Sequence, residues 1–128
     1  MNSWTSTELD KIGSAEELQI ASLRGDNTLR KPVTIWVVRI HDDLYVRSVN
    51  GRTSAWFRGV EVRHAGRIWA GGIEQEVVFV EEAGPEINEK IDAAYATKYR
   101  RSPSSVEHIN SPAARAATIR LVPQPAGA

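Results

Sequence analysis

The sequence contains no cysteine among its 128 residues. Disulfides, thiol nucleophiles and cysteine-ligated metal sites are therefore excluded. Net charge is absent as well, because 16 Lys and Arg residues balance 16 Asp and Glu residues. A nucleic-acid-binding protein needs a clustered excess of basic residues, so this composition argues against a nucleic-acid partner.

Long hydrophobic runs are also missing from the chain. No apolar stretch approaches the roughly 20 residues that a membrane-spanning helix needs, and the polar amino terminus lacks the pattern of a secretion signal. We therefore expect a cytoplasmic protein without a membrane partner. The length indicates one domain over residues 1–128 with a single core. Its tail, residues 123–128, is expected to be flexible.

Motifs for catalysis or metal binding are lacking too. The sequence has no Gly-x-Ser-x-Gly element and no His-x-x-x-His pair. Its three histidines, His41, His64 and His108, share no spacing typical of metal ligands. We therefore predict no metal site, and no residue can be named as catalytic from the sequence.

Helix signals are present in several parts of the chain. Capping-box patterns occur at Thr5/Glu8 and at Ser14/Glu17, where a hydroxyl and a Glu each satisfy an early backbone N–H. Pro85 suits the first position of the longest helix. The predicted helices are 6–12, 54–63 and 86–100, and residues 104–115 are predicted to form a loop or a short helix.

Apolar, β-branched runs alternate with turn residues and predict a sheet. The two runs on either side of 41–43 indicate a hairpin. The first of them, 33–41, is apolar on both faces and should be covered on both sides. For 18–23 a short helix competes with a strand. The predicted strands are 18–23, 33–41, 44–48, 67–71, 75–82 and 118–122. Together the elements predict an α+β fold, a six-stranded, mostly antiparallel barrel with flanking helices.

Arg47 stands in one of the apolar strands and needs an anion, because an unpaired buried charge is very costly. If 42–43 forms a two-residue turn, Arg47 shares a face with Trp36, Val38, Ile40 and Tyr45; a three-residue turn would move it to the other face. Two interpretations stay open. The guanidinium could hold the phosphate or carboxylate of a ligand, or it could pair internally with Glu76 or Asp92.

Five segments together resemble a known family. They are Ile35-Trp36-Val37-Val38-Arg39, Leu44-Tyr45-Val46-Arg47-Ser48, Ser54-Ala55-Trp56-Phe57-Arg58, Ala93-Ala94-Tyr95-x-x-Lys98-Tyr99 and Ala116-Ala117-Thr118-x-Arg120-Leu121-x-Pro123. The chain resembles the bacterial domain-of-unknown-function family numbered 2255 over nearly its whole length. This resemblance implies the split β-barrel of the pyridoxamine-phosphate-oxidase-like group, which includes deazaflavin-dependent nitroreductases.

The resemblance also implies a function. It implies a homodimer that binds FMN or a deazaflavin coenzyme and acts as an oxidoreductase on a small molecule. The implied cofactor-binding residues are Arg47, Ser48, Arg52, Thr53, Ser54, Trp56 and Lys98. The loop and helix start at 52–54 would hold the phosphate, Trp56 would cover the ring, and Lys98 would reach the phosphate.

Each of these side chains also has a structural interpretation. Residues 52–54 could be an ordinary loop with a helix cap, Trp56 a core anchor, and Lys98 a cation that neutralises a helix end. The alternative function is a non-enzymatic module that binds a small ligand or a protein through the same barrel.

Overall fold

Seven antiparallel strands form one sheet in the computed structural model, which describes residues 3–124. The strands are β1 Leu18–Ser22, β2 Val33–Ile35, β3 Val38–Ile40, β4 Asp43–Arg47, β5 Ala65–Ala70, β6 Ile73–Glu81 and β7 Thr118–Pro123. The helices are α1 Ser6–Gly13, α2 Ala55–Arg63, α3 Pro85–Lys98, α4 Pro103–Ile109 and α5 Pro112–Arg115. A 3₁₀ turn, Gly51–Thr53, precedes α2. Within the described residues, no helix has the length and apolar character needed to cross a bilayer.

The sheet closes on itself through one extended segment. Its strand order is β2-β1-β5-β6-β7-β4-β3, so β2 and β3 lie at opposite ends. In the chain, however, only Trp36 and Val37 separate these two strands. The segment therefore pairs with β1 at its start and with β4 at its end. For this reason the segment 33–41, which was predicted to be one strand, forms two strands. The sheet therefore has seven strands instead of the predicted six.

Side chains from the end of α3 satisfy the backbone at this change of partner. The Val37 N–H donates to the Tyr99 hydroxyl at 3.2 Å, and the Val37 carbonyl accepts from Lys98 Nζ at 2.7 Å. The Tyr99 hydroxyl in turn donates to the Glu16 carbonyl at 2.7 Å. Buried backbone groups that leave a sheet ladder need such partners. The end of α3 therefore stabilises the point where the barrel splits.

Two apolar clusters cover the two faces of the segment 33–40, as its pattern predicts. The larger cluster fills the barrel and includes Val37. The smaller lies between the outer face of the β3–β4 hairpin and the helices α3 and α4; its buried members are Val38, Tyr45, Ile91, Tyr95, Tyr99 and Ile109. The face predicted for the hairpin is confirmed, because Val38 pairs with Tyr45 and the guanidinium of Arg47 lies over the ring of Tyr95.

The hairpin turn differs from the predicted one by a residue. Ile40 pairs with Asp43, so the turn is His41-Asp42, and His41 adopts a positive φ of 54°. The loop still has two residues, and the side-chain alternation is therefore unchanged. This explains why a wrong turn position still gave the right face for the hairpin.

Two further details near the termini are corrected. The capping box at Thr5/Glu8 is present, whereas Ser14 lies at the end of α1 and donates to the Asp10 carbonyl. At the other terminus, β7 pairing reaches Pro123, and the N–H of residue 124 donates to the Glu76 carbonyl. Order therefore extends two residues into the segment predicted to be flexible, and 125–128 lie outside the described residues.

The remaining predicted elements are found with small shifts at their ends. Segment 18–23 is a strand rather than a helix, and 104–115 contains two short helices, α4 and α5. Helix α2 begins one residue later than predicted, and α3 ends two residues earlier. End shifts of this size are expected, because the terminal turns of helices are weakly held.

The close approach of β5 to β1 requires a glycine. A Cβ built on Gly66 would lie 2.0 Å from the Ala21 carbonyl oxygen and 2.9 Å from Ser22 Cα. We expect Gly66→Ala to lower the free energy of unfolding by about 3 kcal/mol, because the strand backbones must move apart. Urea unfolding measures the change. Gly25→Ala is the control, since a Cβ there meets nothing within 4 Å; equal stability of the two variants would contradict the pairing of β1 with β5.

Candidate functional site

A cavity of about 420 Å³ opens where β2 and β4 diverge, and its size falls within the usual range of ligand sites. We call it the break cavity. It is lined by Val33, Thr34, Ile35, Trp36, Arg47, Val49, Asn50, Trp56, Ser105 and Ile109. The cavity exists because the segment 33–40 leaves β4 after the pair Val38–Tyr45. From that pair onward, β4 continues without β3 beside it.

The backbone of β4 faces the break cavity at Arg47. The next residue, Ser48, donates its N–H to the Ala117 carbonyl on the β7 side, at 3.2 Å. Backbone groups alternate between the two edges of a strand, so the N–H and C=O of Arg47 point to the other edge. The inner end of the cavity is therefore strand backbone rather than side chain.

Two tryptophans supply the aromatic walls of the break cavity. Trp36 is held by stacking on Tyr99, with ring centroids 3.8 Å apart and the planes within 4°. Trp56, in the first turn of α2, packs edge-on against Phe57 at 6.0 Å. At the rim, Val49 is 46% exposed. Flat apolar walls with a few polar groups suit a planar ligand.

The guanidinium of Arg47 is completely enclosed by its own chain. Its side chain has no exposed surface, and Nη1 forms an ion pair with Asp92 at 2.5 Å. Nε donates to Thr118 Oγ1 at 2.9 Å. The remaining donors go to Asn110 Oδ1 at 2.9 Å and to the side chain and carbonyl of Asn88 at 2.8 and 3.2 Å.

These contacts use all five N–H groups of the guanidinium. Of the two interpretations that the sequence left open, the structure shows the internal ion pair. The partner of Arg47 is Asp92 rather than Glu76. Its contribution to the cavity wall comes from the backbone, since its side chain has no exposed surface. Asp92 is also 3.3 Å from Arg115 Nε, so one carboxylate serves two guanidinium groups.

The predicted phosphate loop lies beside the break cavity. The hydroxyls of Ser48 and Ser54 are 2.7 Å apart, while Thr53 Oγ1 donates to the Asn50 carbonyl at 3.4 Å. Ser54 occupies the N-cap position of α2, but its side chain makes no capping bond. The start of α2 lies close to the cavity, because Asn50 before it and Trp56 in its first turn both line the cavity.

Arg52 is directed elsewhere. It donates to Glu81 at 2.7 Å and to Glu61 at 2.8 Å, and it lies over the ring of Phe57, 4.9 Å from its centroid. The Arg52 guanidinium holds the pKa of Glu81 below its usual value. Arg52 lines a separate, polar cavity of about 320 Å³.

Lys98 belongs to neither of these cavities. Its Nζ donates to the carbonyls of Ala15 at 2.6 Å and Val37 at 2.7 Å. Burial lowers the pKa of Lys98 to about 8. It lines a third cavity, of about 490 Å³, with Val38 and Arg39. Lys98 therefore stabilises the backbone where the barrel splits, rather than neutralising the end of a helix.

The structure thus divides the predicted site residues. Ser48, Thr53, Ser54, Trp56 and the backbone of Arg47 gather near the break cavity, whereas Arg52 and Lys98 lie at other cavities. Sequence reasoning missed the wall residues Trp36, Val49, Asn50 and Ser105, because nothing in the hydrophobic pattern shows that 33–40 changes partner. Among residues 3–124, no group of three or more His, Asp or Glu side chains is placed to hold a metal ion.

Comparisons with known proteins give a family and a fold. The profile of the family described as "Uncharacterized protein conserved in bacteria (DUF2255)" matches residues 8–121. No curated protein sequence matches the chain.

Three solved structures are similar in fold. A Listeria innocua protein assigned as a pyridoxamine 5′-phosphate oxidase is 17% identical, with 91% of this chain and 90% of that chain covered and a TM-score of 0.66. An F420-H2 dependent reductase is 12% identical, with coverage of 84% and 93% and a TM-score of 0.60. A FAD-binding protein from Mesorhizobium loti is 14% identical, with coverage of 96% and 92% and a TM-score of 0.58. These likenesses confirm the predicted split-barrel fold.

Loss of the Arg47–Asp92 ion pair should lower the stability of the fold strongly. Asp92→Asn leaves the buried guanidinium without its counter-ion, so we expect the free energy of unfolding to fall by about 2 kcal/mol. Asp10→Asn is the matched control, because Asp10 pairs with Arg39 while its side chain is 74% exposed. Exposed pairs contribute little, about 0.5 kcal/mol. Chemical denaturation measures the free energy of unfolding of both variants. Similar losses of stability in the two variants would show that the buried Arg47 guanidinium does not need Asp92 as its counter-ion.

Lys98 predicts a pH dependence of stability. The folded protein releases the Lys98 proton near pH 8, whereas the unfolded chain retains it to about pH 10.4. Between these values the unfolded state binds more protons, so stability rises with pH. We expect the stability difference between wild type and Lys98→Met to grow in favour of wild type from about pH 8 to pH 10. Urea unfolding at a series of pH values tests this, and a flat or falling difference would contradict it.

Proposed function

The chain belongs to the bacterial DUF2255 family, and from that premise we propose that it binds a flavin or deazaflavin cofactor in the break cavity and acts as an oxidoreductase on a small molecule. The observation that carries the proposal is the cavity itself. It combines aromatic walls from Trp36 and Trp56 with an open strand edge at Arg47. An F420-H2 dependent reductase and a FAD-binding protein have folds similar to that of this chain, which supports the choice of cofactor.

The cofactor's tricyclic ring is assigned to the aromatic part of the break cavity. Its flat faces suit Trp36 and Trp56, since aromatic rings stack favourably on one another. Its polar edge suits the backbone N–H and C=O of Arg47, which point into the gap beyond β3. The protein's part in catalysis is then to orient the ring and exclude water, while the cofactor supplies the hydride or electron transfer.

The phosphate is assigned to the loop before α2. Thr53, Ser54 and the first N–H groups of the helix lie beside the cavity, and helix starts favour anions. Ser48 supports the loop through its contact with Ser54. Arg47, Arg52 and Lys98 have no place in this arrangement, because their cationic groups are held by acceptors of the chain.

The lining of the break cavity carries no carboxylate or histidine among the described residues. This suits a reaction in which no side chain acts as acid or base. It equally suits the alternative, a non-enzymatic module that holds a small ligand in the same cavity. We further propose a homodimer, which would cover the exposed Val49 at the rim.

Titration of the protein with FMN and with a deazaflavin coenzyme tests the proposal. We expect one of the two to bind, with a shifted visible spectrum and quenched tryptophan fluorescence. The bound cofactor, once reduced, should be reoxidised by a small-molecule acceptor. Binding without turnover would favour the non-enzymatic module, and binding of neither cofactor would contradict the proposal.

Trp56 should contribute directly to binding. We expect Trp56→Ala to weaken cofactor binding about 10-fold, because an aromatic contact with the ring is lost. Val62→Ala is the control, as Val62 lies on the same helix but is 58% exposed and outside the cavity lining. Fluorescence titration compares the two variants. Equal affinities would place the ring away from α2.

A further inference from the structure

One of the four lysines of the chain has its amine held inside the fold. Lys98 is half-buried at the end of α3, and its Nζ donates to the carbonyls of Ala15 at 2.6 Å and Val37 at 2.7 Å. The other three lysines are exposed; they are Lys11, Lys31 and Lys90. The amine of Lys98 therefore has surroundings that no other lysine of the chain shares.

The two carbonyls match the neutral form of this amine. A protonated amine carries three N–H donors, and the described residues supply acceptors for two of them. In a neutral amine both N–H groups would be bonded, and the lone pair would point away from both carbonyls. Burial favours the same form, because it lowers the pKa of Lys98 to about 8 against the opposing charge of Glu16. A neutral lysine amine is a nucleophile.

Lys98 forms part of the wall of the third cavity, which has a volume of about 490 Å³. The wall beside it consists largely of small side chains, since Gly13, Ala93 and Ala94 line the same cavity. The side chain of Lys98 is also only partly buried. A small molecule that enters the third cavity therefore meets the Lys98 side chain.

Two further cations line the third cavity, and its lining includes no carboxylate among the described residues. Arg39, on β3, forms an ion pair with Asp10 at 2.8 Å, and its side chain is 34% exposed. Lys90, on α3, is exposed. A cavity lined by one sign of charge raises the local concentration of the opposite ion. The third cavity therefore favours an anionic electrophile over a neutral one.

We propose that Lys98 is a site of covalent acylation, with a small acyl phosphate such as acetyl phosphate as the acyl donor. The Lys98 nitrogen attacks the acyl carbon and forms an N–C bond. The C–O bond to the phosphate breaks, and its electron pair leaves with the phosphate, which takes up the proton that the nitrogen loses. No electron acceptor or donor is needed, and the step does not depend on a cofactor in the break cavity.

Acylation would weaken the point where the barrel splits. The amide nitrogen that forms keeps one N–H, whereas the amine donates to the carbonyls of both Ala15 and Val37. One of these hydrogen bonds is therefore lost, at a cost in stability. Val37 is fully buried, and its neighbour Trp36 lines the break cavity. Modification of Lys98 would thus act on a wall of the proposed cofactor site.

Treatment of the whole protein with acetyl phosphate tests the site, with mass spectrometry of peptides to follow each lysine. In the folded protein we expect Lys98 to be acetylated about 10-fold faster than the three exposed lysines, because a larger share of its amine is neutral. In urea the four rates should become similar. A Lys98 that reacts no faster than the others, or that keeps its advantage in urea, would overturn the proposal.

A pair of variants tests the part played by the third cavity. At low ionic strength, Lys90→Gln should slow the acetylation of Lys98 by acetyl phosphate about 3-fold, because it removes a cation from the cavity wall. Lys31→Gln is the control, since Lys31 is exposed and lies outside that wall. With N-acetoxysuccinimide, an uncharged acyl donor, neither variant should change the rate. Equal rates in the two variants with acetyl phosphate would overturn the choice of an anionic donor.

The acetylated protein provides a further readout. It should unfold at a lower urea concentration than the untreated protein, because Lys98 then has one N–H for two carbonyls. Protein in which Lys98→Arg replaces the amine, treated in the same way, is the control for acetylation elsewhere in the chain. An equal shift in the treated control would contradict a role for Lys98 acylation at the split.

Discussion

One enclosed cation, the guanidinium of Arg47, connects the sheet to the helices that cover it. It joins β4 to Thr118 of β7, to Asn88 and Asp92 of α3, and to Asn110 after α4. A buried charge survives only with a counter-ion and filled hydrogen-bonding positions. Because these partners come from β7, from α3 and from the residue after α4, the guanidinium fixes how α3 and the end of α4 lie on the hairpin. The outer wall of the break cavity depends on that arrangement.

A second constraint comes from the segment that changes partner. Strand pairing alone would extend β3 along the whole of β4, and the cavity would be filled by a continuous ladder. Instead the segment leaves at Trp36 and Val37, and Lys98 and Tyr99 satisfy the freed backbone. The edge of β4 beyond its last pair with β3 and the stacked ring of Trp36 are two consequences of the same departure. The fold thus creates the break cavity at the point where its sheet is interrupted.

The sequence predicted much of this architecture because its signals are local. Hydrophobic alternation, the capping box at Thr5 and the proline at the start of α3 all act within a few residues. The even length of the hairpin loop kept Arg47 on the predicted face although the turn itself was misplaced. The change of partner at Trp36 left no such signal, since both halves of 33–40 are extended and apolar.

The site was harder to predict for a related reason. An arginine on an apolar strand must meet an anion, but the sequence does not tell whether that anion is a ligand or the chain's own Asp92, which lies 45 residues away. The same ambiguity applied to Arg52 and Lys98, whose partners are also distant in sequence. Trp56 and the serines at 48 and 54 lie near one another because the start of α2 brings them together, and their role in ligand binding stays a prediction.

The Arg47 guanidinium is held entirely by the chain itself, and we propose that a ligand would meet only the backbone of this residue. Nuclear magnetic resonance of the Arg47 side-chain N–H groups, with added inorganic phosphate and then FMN, tests this most directly. We expect signals that exchange slowly with solvent and that phosphate does not shift. Rapid exchange, or a shift that follows the phosphate concentration, would show that the guanidinium is available to outside anions and would contradict the account.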